Sequence, residues 1–384
     1  METQILRTKI SAWQVLLLAF CIAILTFGMA SYVPSSSTAA ITPPSFTETA
    51  SYTIWKSGST YYAKNGLTAA VDYSSRNATW VIQSAVDAVT NGGKIFLLRG
   101  QYTIDTTIII SNPSVYIEGE GTGYDVVKLS FIATSKPLFK YTATTHKFFG
   151  GIKNLCLDGN GNSGTIAIHV EQYYSDLWFE KLFIMNFLHG IKLEGSAGTG
   201  QCKIWNIWIL DCLIESNNGY AVYMTNADHQ DRQIDRVTIR GGHFYDNTNT
   251  IRIDADYVFN VLITDITVEK EREYSIYMTG GRRVQIVNNR IFDCGTDSSN
   301  TYDGIYISGE TASPPIAVII SGNNIGNHWV ENQMRYCVHL NGTCEHIRVS
   351  NNIFESWKTA SPTEAVNNNS TAVDVVVENN QGMR

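Results

Sequence analysis

Val284-Gln285-Ile286-Val287-Asn288-Asn289, Val318-Ile319-Ile320-Ser321-Gly322-Asn323-Asn324, Ile347-Arg348-Val349-Ser350-Asn351-Asn352 and Val375-Val376-Val377-Glu378-Asn379-Asn380 are four copies of one pattern. Each is a short apolar run followed at once by a turn rich in Asn or Gly. Anchored on its central apolar residue, the pattern occurs nine times between residues 150 and 380. The anchors are Ile152, Phe179, Ile209, Ile239, Ile263, Ile286, Ile320, Val349 and Val377, with successive spacings of 27, 30, 30, 24, 23, 34, 29 and 28 residues. A period in that range means stacked repeats, each too small to bury a core of its own.

A further strand recurs in every period. It reads Ile166-Ala167-Ile168-His169, Ile191-Lys192-Leu193-Glu194, Val222-Tyr223-Met224-Thr225, Ile251-Arg252-Ile253-Asp254, Ile276-Tyr277-Met278-Thr279, Ile305-Tyr306-Ile307-Ser308 and Val338-His339-Leu340-Asn341. Alternation at period two sends the aliphatic residues inward. Two strands per period leave room for a third and short turns, which describes an all-β parallel solenoid. A propeller blade would need about 40 residues or more. The paired Asn residues have a structural explanation. Asn accepts the left-handed backbone that such turns require, and stacked Asn side chains can bond between coils.

Ahead of the repeats, Asn77 is placed to cap a helix whose apolar positions are Val81, Ile82, Ala85, Val86 and Val89, and Asn91-Gly92-Gly93 stops it. This helix is expected to cover the open end of the solenoid, which would otherwise expose apolar cross-section and strand edges. Ser114–Glu118 then fits the first repeated strand.

The N-terminus is a different material. Arg7 and Lys9 precede the uncharged stretch Ser11–Val33, long enough to span a bilayer. Basic residues on its N-terminal side place the rest of the chain outside the cell. Residues 1–33 therefore read as a signal-anchor or signal peptide and 34–51 as a Pro/Ser/Thr-rich linker, with the repeat domain at 52–384. The expectation is an extracellular domain, tethered to a membrane if the segment is retained and secreted if it is cleaved. Asn77, Asn341 and Asn368 begin N-glycosylation acceptor triplets.

The formal net charge of −7 and the lack of a Lys/Arg cluster argue against a nucleic-acid partner. Of seven cysteines, none forms a C-x-x-C pair, which argues against a zinc or redox site. Cys337 and Cys344 bracket a strand and its turn. They are either a disulfide formed on export or two small buried side chains.

The stretch TWVIQSAVDAVTNGGKIFLLRGQYTI, followed by SVYIEGEGTG, resembles the N-terminal entry of pectate-lyase-superfamily proteins, and the resemblance runs on through the coils over roughly 52–384. It implies a right-handed parallel β-helix that acts on or binds acidic or complex polysaccharides. The polygalacturonase N-T-D, D-D and R-I-K segments, the pectate-lyase R-x-P-x-x-R and the epimerase D-P-H-E are all absent, so the resemblance carries the fold and not a mechanism.

The outward positions of the recurring strand form two expected rows. One is Ala167, Lys192, Tyr223, Arg252, Tyr277, Tyr306, His339, and the other is His169, Glu194, Thr225, Asp254, Thr279, Ser308, Asn341. Coils about 4.8 Å apart match the rise of one sugar in an extended glycan. Tyr223, Tyr277, Tyr306 and His339 are therefore candidates for substrate binding, since aromatic faces stack on sugar rings and neighbouring cations pair with uronate carboxylates. The plain alternative is aromatic stacking that steadies a sheet face. For catalysis the candidates are Glu194, Asp254, Arg252 and Lys192. Glycoside hydrolysis needs two carboxylates flanking the bond, and Glu194 and Asp254 lie two coils apart, with Asp256, Asp228 and Asp231 on the following turns. Lyase chemistry needs a base beside a uronate whose charge is neutralised, for which Arg252 or Lys192 could serve with Tyr223 or Tyr277 as donor. No motif demands a cofactor. Calcium is a candidate, with Asp254, Asp256 and Glu194 as the nearest oxygens. His229 is a loop candidate for a general base, and His243 and His328 have a weaker case.

The leading expectation is an exported protein that processes an acidic polysaccharide by lyase or glycoside hydrolase chemistry. The competing one is a non-catalytic glycan-binding or adhesive surface protein.

Overall fold

One coil can be followed through residues 203–226. An anchor strand, Lys203–Leu210, ends at Asp211, whose φ of 51° turns the chain. A short strand, Leu213–Glu215, ends at Ser216 with φ 54°. A third strand, Tyr220–Asn226, completes the circuit. The next coil repeats the scheme with Gln233–Arg240, His243–Tyr245 and Asn249–Asp254. Each strand pairs in parallel with its own counterpart one coil on. The computed structural model describes residues 50–195, 203–226, 233–254, 256–310, 314–328, 334–356, 364–371 and 373–382. The apolar segment at 11–33, most of the linker, Cys21, Cys202, Asp228, His229 and Asp231 lie outside them.

All nine anchors fall in one register. Ile152 pairs with Phe179, Phe179 with Ile209, and so on without a slip to Val377. Eight of the nine are buried, Val377 on the final coil being the exception. Ile117 precedes them in the same column. Aliphatic side chains from all three strands of each coil fill the interior, as with Ile209, Ile214 and Met224. Burial of apolar surface at about 25 cal/mol per Å² is what holds such a stack together, because no single coil encloses a core.

The Asn pairs divide their work. Asn288, Asn351 and Asn379 adopt φ values of 58°, 56° and 52°, and Gly322 takes 69° at the equivalent place. Of the residues that follow them, Asn289, Asn323 and Asn352 enter the core and Asn380, on the last coil, is half-buried. Asn289 Nδ2 donates to Asn323 Oδ1 at 2.9 Å, Asn323 to Asn352 at 2.9 Å and Asn352 to Asn380 at 3.0 Å. Each Oδ1 also accepts the backbone N–H of the coil before, as Asn323 does from Asn289. This ladder satisfies the backbone of a turn that has no strand partner. A second interior ladder, which the repeats did not announce, runs from Asn217 to Asn247 and ends on the fully buried carboxyl of Glu271.

The entry differs from the coils. Tyr52–Ser57, Thr60–Asn65 and Val71–Ser75 form an antiparallel meander, and Tyr52–Ile54 joins the first coil in parallel beside Ile95–Leu97. The helix Ala78–Ala88 begins at Asn77, whose Oδ1 accepts the Trp80 N–H at 2.9 Å. It buries Val81, Ile82, Ala85 and Val86, the face its spacing predicts. Cys337 and Cys344 are free and buried, each thiol directed at a backbone carbonyl, of Ile325 and Asn341 respectively. The disulfide reading is thereby corrected in favour of two small core residues. Among the described residues no helix is long and apolar enough to cross a membrane.

Candidate functional site

The third strands stack into one sheet face, and their outward residues form the expected row. Lys192 pairs with Tyr223, Tyr223 with Arg252, Arg252 with Tyr277, Tyr277 with Tyr306, and Tyr306 with His339, one residue per coil. The first member is corrected. Lys192 pairs with His169 and not with Ala167, which is buried. In the second row Glu194, Thr225 and Asp254 align as expected, and Ser308 aligns with Asn341. His169 leaves that row for the first.

The corrected register changes the electrostatics. His169 Nε2 lies 2.8 Å from Glu194 Oε2, and Lys192 Nζ lies 2.9 Å from the same oxygen. The hydrogen bond from His169 outweighs burial, and with Lys192 it holds the Glu194 carboxyl down at about 2. One coil beyond Tyr223, Arg252 Nε donates to Asp254 Oδ1 at 2.6 Å, and Thr279 Oγ1 donates to the same oxygen at 3.1 Å. Burial works to lower the Arg252 guanidinium, but the bond to Asp254 wins and raises it. Glu194 and Asp254 are thus anchored to their own neighbours. Glu194 is not poised as a protonated acid, and Lys192 and Arg252 are engaged in ion pairs.

Aromatic rings fill the spaces between these charges. Arg252 Cζ lies 3.5 Å from the Tyr277 ring centroid, and Lys192 Nζ lies 5.7 Å from that of Tyr223. Such contacts hold a cation without removing its charge. Tyr274, on the turn before its strand, sits 5.0 Å from Tyr277 and 5.2 Å from Tyr306. Tyr220 packs 4.8 Å from Tyr223 and Tyr336 5.0 Å from His339. Burial raises Tyr223, Tyr274 and Tyr277, so these phenols keep their protons. Tyr220, Tyr274 and Tyr336 escaped the sequence reading because they lie ahead of the alternating pattern, Tyr220 and Tyr336 as the first residues of their strands and Tyr274 on the turn before its own. A tyrosine three residues before Tyr223, Tyr277 and His339 was the available signal.

At the far end His339 meets a residue that no pattern flagged. Asp303 is fully buried and accepts from Arg335 Nε at 3.1 Å, Arg335 Nη2 at 2.8 Å and the Tyr336 N–H at 3.2 Å. His339 Nδ1 lies 2.9 Å from Asp303 Oδ2. His339 Nε2 is buried and has no hydrogen-bond partner among the described residues.

The remaining candidates fall elsewhere. His243 faces Glu269 at 3.7 Å on the short-strand face, and His328 stacks on Phe292 at 3.9 Å. Among the described residues no group of three or more His, Cys, Asp or Glu side chains is arranged to hold a metal ion. The oxygens of Glu194 and Asp254 are instead occupied by the pairs above. Of the glycosylation triplets, Asn77 spends its amide on Asp105 at 2.7 Å and Asn341 on the Tyr306 hydroxyl at 3.0 Å.

The architecture is shared with solved structures. An alginate lyase from Paenibacillus sp. is 14% identical with a TM-score of 0.56, over 79% of this chain and 97% of its own. A DFA-IIIase from Arthrobacter chlorophenolicus is 11% identical with a TM-score of 0.53, over 78% and 91%. The A-module of a mannuronan C-5 epimerase from Azotobacter vinelandii is 14% identical with a TM-score of 0.50, over 80% and 96%. At these identities the likeness is one of fold. No curated protein matches the sequence. The model of the right-handed β-helix region matches residues 167–381, more than half of the chain. The coils, their register and that match together make this chain a member of the right-handed β-helix family, within the pectate-lyase-like superfamily.

Proposed function

We propose that this protein processes an acidic, uronic-acid-containing polysaccharide laid along the row from Lys192 to His339. One observation carries the reading: Lys192, Tyr223, Arg252 and Tyr277 alternate cation and ring on four successive coils, with Arg252 stacked on Tyr277 at 3.5 Å, and Tyr306 and His339 extend the row. A coil spacing of about 4.8 Å offers one contact per sugar. Tyrosine faces suit sugar rings, and the guanidinium can still share a carboxylate. The solved relatives are named as a lyase, an epimerase and a DFA-IIIase.

Of the two chemistries, β-elimination is favoured over hydrolysis. Hydrolysis needs one carboxyl protonated to serve as the acid, whereas Glu194 is held ionised by His169 and Lys192. Elimination needs fixed positive charge to neutralise the uronate carboxyl, which Lys192 and Arg252 supply, and a proton donor, which the row tyrosines supply. The charge pattern around Ser11–Val33 supports export of the domain, and the placement of Ala78–Ala88 against the entry strands supports its role as the cap.

A second reading is favoured by a different observation. Lys192, Arg252 and Arg335 each pair with an acid, Glu194, Asp254 and Asp303. A surface so self-satisfied suits glycan binding without turnover. Incubating the full chain with polyuronates and neutral polysaccharides separates the readings. Ultraviolet absorbance from unsaturated products indicates a lyase, new reducing ends without it a hydrolase, and binding without either an adhesive protein.

A further inference from the structure

The elimination reading leaves one role unfilled. Lys192 and Arg252 are paired with acids, and the buried tyrosines hold their protons, so none of these is ready to accept one. We infer that Asp303 and His339 form the proton-accepting pair of the reaction, with the Tyr306 hydroxyl as the donor to the leaving oxygen. This rests on the elimination reading and adds the identity of the base and acid.

Three observations converge on it. First, the buried Asp303 carboxylate sits 2.9 Å from His339 Nδ1. A carboxylate there accepts a hydrogen bond from Nδ1–H, which leaves the lone pair on Nε2. Arg335 Nη2 also lies 3.1 Å from Nδ1, and its two bonds to Asp303 fix that carboxylate in place. Second, Nε2 is buried and without a partner among the described residues. An orphaned buried nitrogen costs free energy that a structural role would not repay, and a substrate proton would satisfy it. Third, His339 ends the row on which the glycan is proposed to lie, with the Tyr306 ring 4.9 Å away on one side and that of Tyr336 5.0 Å away. The Tyr306 oxygen accepts from Asn341 Nδ2 at 3.0 Å, a bond that also stabilises the phenolate formed when the hydroxyl gives up its proton.

The step balances without a co-reactant. Nε2 takes the proton from the carbon bearing the uronate carboxyl. The electrons of that C–H bond become the new carbon–carbon double bond as the glycosidic C–O bond breaks. The leaving oxygen takes the Tyr306 proton. Asp303 stabilises the imidazolium, and proton return from His339 to Tyr306 through solvent resets the pair. In this scheme His339 and Tyr306 are the catalytic residues and Asp303 positions the imidazole.

The test uses the full chain and polyuronate substrates, with unsaturated product followed by ultraviolet absorbance. Expected are a loss in kcat of about 100-fold or more for His339→Gln and Tyr306→Phe, with KM within about threefold. Tyr306→Phe keeps the ring packing and so protects the test against a His339→Gln variant that fails to fold. For Asp303→Asn the nitrogen-15 shifts of His339 should report movement of the ring proton from Nδ1 to Nε2, with kcat falling and KM unchanged. A wild type that turns over while both His339→Gln and Tyr306→Phe stay within about threefold of it overturns the assignment and leaves the elimination reading standing. A wild type that forms no unsaturated product from any polyuronate overturns both.

Discussion

Arg252 stands with its guanidinium carbon 3.5 Å from the Tyr277 ring centroid, one coil away in the same row. The contact fixes a long side chain that is also held by Asp254 at 2.6 Å, so the charge is presented in one orientation. Lysine cannot reproduce a planar, stacked and hydrogen-bonded cation. Arg252→Lys should therefore weaken binding of uronate oligosaccharides by about tenfold, corresponding to about 1.4 kcal/mol, with little change for neutral oligosaccharides. Titration calorimetry with both ligand classes checks this.

The Asn ladder should be the most sensitive structural element. Asn323 donates to Asn352 and to the Ile286 carbonyl and accepts from Asn289. Asn323→Ala removes these bonds and strands buried groups on both sides. A loss of ~2–4 kcal/mol is expected, since each orphaned buried group costs ~1–3 kcal/mol and relaxation recovers part of that. Asn288→Gly, at a solvent-facing turn with φ 58°, should cost less than about 1 kcal/mol. Urea denaturation of both variants measures the contrast.

Acid should loosen the upper end of the row. Glu194 is held at about 2, below its ordinary 4.5, chiefly by the His169 hydrogen bond. A carboxyl lowered on folding contributes stability that is in place above about pH 4.5 and is lost as pH falls towards 2. Glu194→Gln should remove ~1–2 kcal/mol at neutral pH after allowance for its partial exposure, and flatten that acid slope. Denaturation midpoints across the acid range report it.

Glu271 should act in the opposite sense. Burial raises it to about 8 from 4.5 despite its bonds to Asn247. A carboxyl raised on folding is stabilising in its neutral form, so its contribution is complete below about pH 4.5 and is lost as pH rises through about 8. Glu271→Gln keeps an oxygen for Asn247 Nδ2, 3.1 Å away, and cannot ionise. It should raise the melting temperature on the alkaline side and leave it nearly unchanged at mildly acid pH, as thermal melts at the two conditions would show.

Much of this molecule is legible in its sequence because a parallel stack repeats its own geometry. The nine anchors align without error since each is followed by a turn that pins its place. The row slipped only at its first member, where Ile168 and Val170 are both buried. A shift of two residues preserves alternation, so period two alone could not tell Ala167 from His169 as the neighbour of Lys192. That slip hid the partner that sets the charge state of Glu194. Asp303 was invisible for another reason. It lies in a polar turn 36 residues before His339, and only the stacking of coils brings the two together. The state of Cys337 and Cys344 stayed open in the sequence because proximity along a turn says nothing of where two thiols point, and the buried free thiols settle it as the second of the two readings.

The central claim is that the Lys192–His339 row is the glycan face. Its most direct test is the affinity of the full chain for polyuronate oligosaccharides when Tyr277 and, separately, Trp208 are replaced by alanine. Trp208 stacks on Trp178 at 4.5 Å on the anchor-strand face, away from the row. The account predicts that Tyr277→Ala weakens binding by about tenfold or more, while Trp208→Ala stays within about twofold. Unchanged affinity in Tyr277→Ala, or a loss confined to Trp208→Ala, would contradict it.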